Sequence, residues 1–209
     1  MIRVVNFPFC NVASITRFLT VRQHSYDYLT DPSIINKADI LIIPGVGTFD
    51  QGMHYLSSNN FIKPLINHAN CGGRIIGICL GMQLLLSSSD ESPGITGLSL
   101  IPGSCSLIPS NHHFRVPHIG WNSVALNPNF ISPATSFPVG VDSLVSTRDF
   151  YFVHSYVASA SDATHEMLHF QHPNGLQVAA LSSGNITGFQ FHPEKSGSAG
   201  YDLLDAFLK

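Results

Sequence analysis

Short β-branched runs recur through the first eighty residues, at Ile2–Val5, Ile40–Ile43 and Ile75–Ile78, with stretches of mixed polarity between them. Such runs predict strands buried on both faces of a parallel sheet. The intervening Asn11–Val21 and Asp50–Ala69 predict helices, with Asn11 or Ser14 capping the first and Asp50 the second. Strands alternating with helices imply right-handed crossovers and a layered α/β sheet.

The second half changes character. Leu98–Ile101, Ser104–Ile108, Ser123–Leu126, Phe150–Val157, Met167–His172, Gln177–Leu181 and Gly188–Phe191 predict strands joined by Pro, Asn and Gly turns. They suggest an antiparallel extension of the central sheet. Gly200–Leu208 predicts a closing helix with Tyr201, Leu204 and Leu208 inward, and the Pro- and Ser-rich Asn127–Pro138 predicts a surface loop. No linker divides the chain, so one domain over residues 1–209 is expected.

Composition narrows the function classes. Only 11% of the 209 residues are charged and 44% are hydrophobic, so part of the surface is expected to be neutral or covered by a partner. A net charge of −3 offers no basic face for a phosphodiester backbone. The eleven histidines are scattered, including His112, His113, His165 and His169, and most lack ligand spacing, so no metal or cofactor is expected. No uncharged apolar stretch reaches the roughly 18 residues of a membrane span, and Met1–Val5 lacks the flanks of a signal peptide. The four cysteines (Cys10, Cys71, Cys79, Cys105) form no CxxC pair. A cytoplasmic chain with reduced thiols is expected.

Two segments carry the chemistry. In Gly77-Ile78-Cys79-Leu80-Gly81-Met82-Gln83 a thiol stands between an apolar strand and the start of a helix. A strand–nucleophile–helix turn is sharp, and small residues two before and two after the nucleophile permit it. The helix start adds partial positive charge that favours thiolate, and the Leu80 amide becomes an oxyanion donor. A second donor is expected from Pro44-Gly45-Val46-Gly47, at Val46 or Gly47. In Phe191-His192-Pro193-Glu194-Lys195-Ser196 the carboxylate of Glu194 can orient the His192 ring so that its other nitrogen faces Cys79. On residues alone this reads as a cysteine acyl-transfer site, and a buried structural cysteine stays open beside it.

The order cysteine, then histidine-proline-glutamate, resembles the class I glutamine amidotransferases. Further stretches narrow the resemblance: Pro44–Phe49, Ile78–Leu85, Val116-Pro117-His118-Ile119-Gly120-Trp121-Asn122, Phe150-Tyr151-Phe152-Val153-His154-Ser155-Tyr156 and Gln190–Ser196. Together they are similar to the glutaminase subunits of imidazole glycerol phosphate synthases, over nearly the whole chain. The resemblance implies a three-layer, flavodoxin-like α/β fold with a mixed central sheet. It implies Cys79 as nucleophile, His192 as acid and base, and Glu194 orienting it. Val46 or Gly47 with Leu80 would form the oxyanion hole, and Gln83, Ser155 and Tyr156 would hold glutamine. Asn11, His118, Trp121, Asn122 and Lys195 would face a partner, a (β/α)8-barrel cyclase that receives ammonia and makes imidazole glycerol phosphate and aminoimidazole carboxamide ribotide in histidine biosynthesis. One region departs: where the family has Asp-Tyr-Gly-x-Gly-Asn, this chain has Asn6-Phe7-Pro8-Phe9-Cys10-Asn11. That change leaves open a paralogous glutaminase feeding a sugar amidotransferase of surface-polysaccharide synthesis. An idle binding module and a stand-alone hydrolase of γ-glutamyl peptides compete with both, although the intact Cys79, His192 and Glu194 argue against the first and the Trp121 and Lys195 motifs against the second.

Overall fold

The computed structural model describes residues 1–110, 116–133 and 137–209. The first half runs β1 (Ile2–Val5), α1 (Ala13–Val21), β2 (Tyr26–Leu29), β3 (Ile40–Ile43), α2 (Phe49–Ser58), α3 (Ile62–Asn70), β4 (Arg74–Ile78) and α4 (Leu80–Leu84). The second half runs β5 (Ser88–Ser89), β6 (Gly103–Leu107), β7 (His118–Ser123), β8 (Ala125–Leu126), α5 (Val141–Val145) and β9 (Asp149–His154). It continues through β10 (Tyr156–Ala160), β11 (Glu166–His172), β12 (Gly175–Ser183), β13 (Ile186–Phe189) and α6 (Gly197–Ala206).

The main sheet has the order β2-β1-β3-β4-β13-β12-β11-β8. Strands β2 through β13 in that order are parallel, and β12, β11 and β8 continue antiparallel. The expected mixed sheet is therefore present. Val4, Ile42, Ile76 and Phe189 pack on one face with Phe18 of α1 and Leu203 of α6; Val5, Leu41, Ile43 and Ile75 pack on the other with Leu56 of α2 and Leu65 of α3. The result is three layers. Side chains of neighbouring residues point to opposite faces, so an apolar run in a covered parallel strand fills both.

Several elements differ from the sequence expectation. The stretch Asp50–Ala69 is two helices, broken where Asn60 adopts φ +58°; Asn tolerates this left-handed region better than most residues. The cap of α2 is Thr48, whose amide donates to Gln51 Oε1 at 3.3 Å, while Asp50 lies in the first turn and accepts from the Thr48 hydroxyl. For α1 the Asn11 expectation holds in modified form: Val12 occupies the cap position, and Asn11 Oδ1 accepts from the Ala13 amide at 2.9 Å. Ser14 lies inside that helix. Leu98–Ile101 is no strand; its amides instead donate to the carbonyls of Leu84, Leu85 and Leu86, which a helix end leaves without partners. Phe150–Val157 breaks at Ser155 into β9 and β10. Strand β2 and helix α5 were not expected. His112, His113 and positions 134–136 of the expected 127–138 loop lie outside the described residues, and the rest of that loop forms no regular element.

Candidate active site

Strand β4 delivers Cys79 to the carboxyl edge of the sheet. Its register pairs Gly77 with Gly188 and Ile78 with Phe189 of β13, so the segments that follow both strands emerge side by side. The Cys79 amide donates to the Phe189 carbonyl at 2.7 Å. Cys79 itself adopts φ +53°, a strained turn of the kind that presents a nucleophile at a strand end. The glycines flanking it are required by space. A Cβ on Gly77 would lie 2.6 Å from the Gly81 carbonyl carbon, and one on Gly81 would overlap the Ile43 carbonyl oxygen. Helix α4 has only five residues, so its macrodipole is small.

The second segment is fixed by several bonds. The His192 amide donates to the Tyr151 carbonyl at 2.8 Å, which ties it to β9. Ser196 Oγ donates to the His192 carbonyl at 2.6 Å and accepts from the Tyr151 amide at 2.9 Å. Helix α6 closes tightly behind this turn, since a Cβ on Gly200 would overlap the Pro193 carbonyl oxygen.

His192 Nδ1 lies 2.8 Å from Glu194 Oε1, with both side chains almost wholly buried. The other ring nitrogen, Nε2, is buried and makes no aligned hydrogen bond. Burial opposes a charged ring, yet the Cys79 sulfur and the Glu194 carboxylate outweigh it and raise the His192 pKa to about 10. The Cys79 sulfur contacts the Val153 carbonyl at 3.7 Å and Gln190 Nε2 at 3.8 Å.

A pocket of about 220 Å³ opens over the sulfur, lined by Val46, Gly47, Cys79, Leu80, Gln83 and Ser155, among others. That is the size for a small metabolite, below the roughly 300–1,000 Å³ of drug-sized ligands. Tyr156 joins the lining. So do His154 and Glu91, which sequence reasoning did not assign. The Glu91 carboxylate accepts from the Phe49 amide at 2.7 Å, and burial raises its pKa. A lone carboxylate far from the motifs gave no sequence signal.

Two expectations need correction. His118 is buried and its ring points inward, because residues alternate faces along β7; Asn11 and Trp121 are exposed, as is Lys195, and Asn122 is half-buried. Val46 presents its amide to Cys10 Sγ at 3.3 Å, while the Cys10 thiol donates to the Val46 carbonyl at 3.1 Å. That amide is therefore occupied. All four cysteines are free, and no cluster of metal-ligating side chains occurs among the described residues. No helix of the described residues is long and apolar enough to cross a membrane.

Known proteins resemble this chain along its length. The family described as glutamine amidotransferase class-I matches residues 11–209. The imidazole glycerol phosphate synthase subunit HisH of Methanothermobacter thermautotrophicus is 38% identical over 212 residues, covering 100% of this chain and 98% of the relative. The HisH subunit of Listeria monocytogenes serotype 4b is 35% identical over 210 residues, covering 99% and 94%. Among solved structures, PurLQS from Thermotoga maritima superimposes with a TM-score of 0.71 at 18% identity over 99% of this chain and 96% of that one. The glutaminase domain of Trypanosoma brucei CTPS gives 0.61 at 14% over 99% and 93%. These two show the fold alone. The strained cysteine turn, the buried histidine–glutamate pair and full-length relatedness together mean that the chain belongs to the class I glutamine amidotransferases, in the family of the imidazole glycerol phosphate synthase subunit HisH.

Proposed function

We propose that this protein is the glutaminase subunit of an imidazole glycerol phosphate synthase and that Cys79, His192 and Glu194 carry the hydrolysis. The Cys79 sulfur attacks the γ-carboxamide carbon of glutamine. The C–N bond breaks as the His192 ring gives its proton to the departing nitrogen, which leaves as ammonia. The thioester left on Cys79 is then opened by a water whose proton His192 accepts, releasing glutamate and restoring the thiol. Glu194 keeps Nδ1 protonated and Nε2 turned toward the sulfur. The Leu80 and Gly47 amides hold the oxyanion of each tetrahedral intermediate.

The pocket suits glutamine. Glu91 offers a carboxylate to the substrate ammonium, while Gln83, Ser155 and Tyr156 surround the amino-acid end. The observation that carries the reading is the 2.8 Å bond between His192 Nδ1 and Glu194 Oε1, a buried pair that follows the strand beside the one delivering Cys79. The test is Cys79→Ala: synthesis from glutamine is lost while synthesis supplied with ammonia is spared. Retained glutamine use would remove Cys79 from the mechanism.

A barrel cyclase partner fits the surface. Ile119 and Trp121 on β7 are 59% and 56% exposed, and Asn11 and Lys195 are exposed and line one small cavity together. Exposed aromatic side chains are frequent anchors of interfaces. Passage of ammonia directly to the partner keeps it unprotonated. The chain alone should hydrolyse glutamine slowly. Equal turnover with and without the partner would contradict this. The cytoplasm, where reduced thiols persist, is the expected location.

A further inference from the structure

A file of hydrogen bonds runs from the β7–β9 ribbon to the sulfur through His154, a residue with no role in the reading above. Strand register sets His118 opposite His154, and His118 Nδ1 lies 3.1 Å from His154 Nε2. His154 Nδ1 lies 2.9 Å from the Tyr156 carbonyl. That same carbonyl accepts from Gln83 Nε2 at 3.3 Å. Gln83 Nε2 also donates to Gln190 Oε1 at 3.2 Å, and Gln190 Nε2 reaches Cys79 Sγ at 3.8 Å.

Direction in this file follows from one acceptor. A carbonyl oxygen can only accept, so the nitrogen of Gln83 and the protonated nitrogen of His154 must both face Tyr156. Both N–H bonds of the Gln83 amide are then committed, one to Tyr156 and one to Gln190. Its oxygen is left as the hydrogen-bonding atom free for a ligand. Gln190, having given its oxygen to Gln83, turns its N–H toward the sulfur. On the other side, burial keeps the His154 ring neutral, with a pKa near 3. In that Nδ1–H ring Nε2 is unprotonated, and it faces His118 Nδ1.

We propose that His154 is a positioning residue for glutamine hydrolysis: it anchors the Tyr156 carbonyl, and through Gln83 and Gln190 it decides which atoms face the substrate and the sulfur. The proposal rests on the glutaminase reading above. Without the His154 N–H, the Tyr156 carbonyl keeps one donor in place of two, and the Gln83 amide can rotate. An amide turned over would aim N–H groups into the pocket and break the bond to Gln190 Oε1. Glutamine binding and sulfur reactivity should therefore decline together.

The test uses the chain with its cyclase partner. His154→Leu should raise the KM for glutamine about tenfold and slow iodoacetamide alkylation of Cys79 by a similar factor, while ammonia-dependent synthesis is unchanged. His154→Asn places an amide N–H near the position of Nδ1 and should return both values to within about threefold of the parent. A folded His154→Leu with parental KM and alkylation rate would overturn the proposal, as would an Asn variant no better than Leu. A measurement needing no variant stands beside these. The imidazole nitrogen-15 spectrum of the parent protein should show His154 as the Nδ1–H tautomer, and the Nε2–H tautomer would overturn the proposal even if the Leu variant fails to fold. Absence of glutamate release from the parent complex would instead overturn the glutaminase reading on which it rests.

Discussion

Replacing Glu194 by Gln removes the charge that holds His192 and keeps the shape. The interval between the ordinary histidine value of 6.5 and about 10 corresponds to about 5 kcal/mol favouring the protonated ring, with Cys79 and Glu194 sharing it against the opposing effect of burial. A hydrogen bond to a charged group supplies about 1.5–3 kcal/mol of such a sum. Loss of the charge should therefore lower the ring's pKa by about one to two. A second effect compounds the first. Glu194 Oε2 is buried without a hydrogen-bond partner, so the new amide either buries an NH2 group there or turns it onto Nδ1. The latter forces the other tautomer and leaves Nε2 unable to accept a proton.

Glutamate release at saturating glutamine should consequently fall about 100-fold or more, with ammonia-dependent synthesis intact. The pH dependence has a definite sign. A folded-state pKa above the unfolded value means that the His192 contribution to stability is complete below about 6.5 and disappears as pH rises through about 10. In Glu194→Gln that loss should finish at a lower pH. Denaturant unfolding at several pH values between 6 and 10 measures it, beside glutamate release. A variant within threefold of the parent rate, with an unchanged alkaline stability profile, would refute the reasoning.

Other perturbations have definite outcomes. Gly81→Ala puts a Cβ 2.7 Å from the Ile43 carbonyl carbon, so the elbow must shift; a cost of about 1–3 kcal/mol should lower Tm by several degrees in a thermal melt, and an unchanged Tm would argue against close packing there. Trp121→Ala should weaken binding to the cyclase by about 2 kcal/mol or more in calorimetric titration while leaving the isolated chain's Tm unchanged; undiminished affinity would move the interface elsewhere. Phe152 packs against Phe170 and Phe191 at centroid distances of 4.6 and 5.5 Å, so Phe152→Ala should cost about 3–5 kcal/mol in denaturant unfolding, and a cost under about 1 kcal/mol would mean that the aromatic cluster is loose.

Much of this fold could be read from residues because the parallel strands are apolar on both faces. The runs Ile40–Ile43 and Ile75–Ile78 demand burial, and the order of strands and helices then restricts the topology. Strand β2 escaped because it is an edge: in Tyr26-Asp27-Tyr28-Leu29 only Leu29 is buried, so no pattern distinguishes it from a loop. The split between α2 and α3 escaped because buried positions continue across it at Leu56, Phe61 and Leu65, and only the Asn59-Asn60 pair marked the turn. The cysteine turn and the His192-Glu194 pair were legible since their spacing is local. The bond from His154 to His118 was not, because it depends on a register between strands 36 residues apart. Glu91 was equally hidden, since its role depends on a fold that brings it over the cysteine.

The central claim is that the Cys79 sulfur takes up the γ-glutamyl group of glutamine. Peptide mass spectrometry after exposure of the complex to a chloroketone analogue of glutamine tests it most directly. A single adduct on Cys79, suppressed by added glutamine and absent in Cys79→Ala, is the predicted result. An adduct confined to Cys10, Cys71 or Cys105, or labelling that glutamine does not suppress, would contradict it.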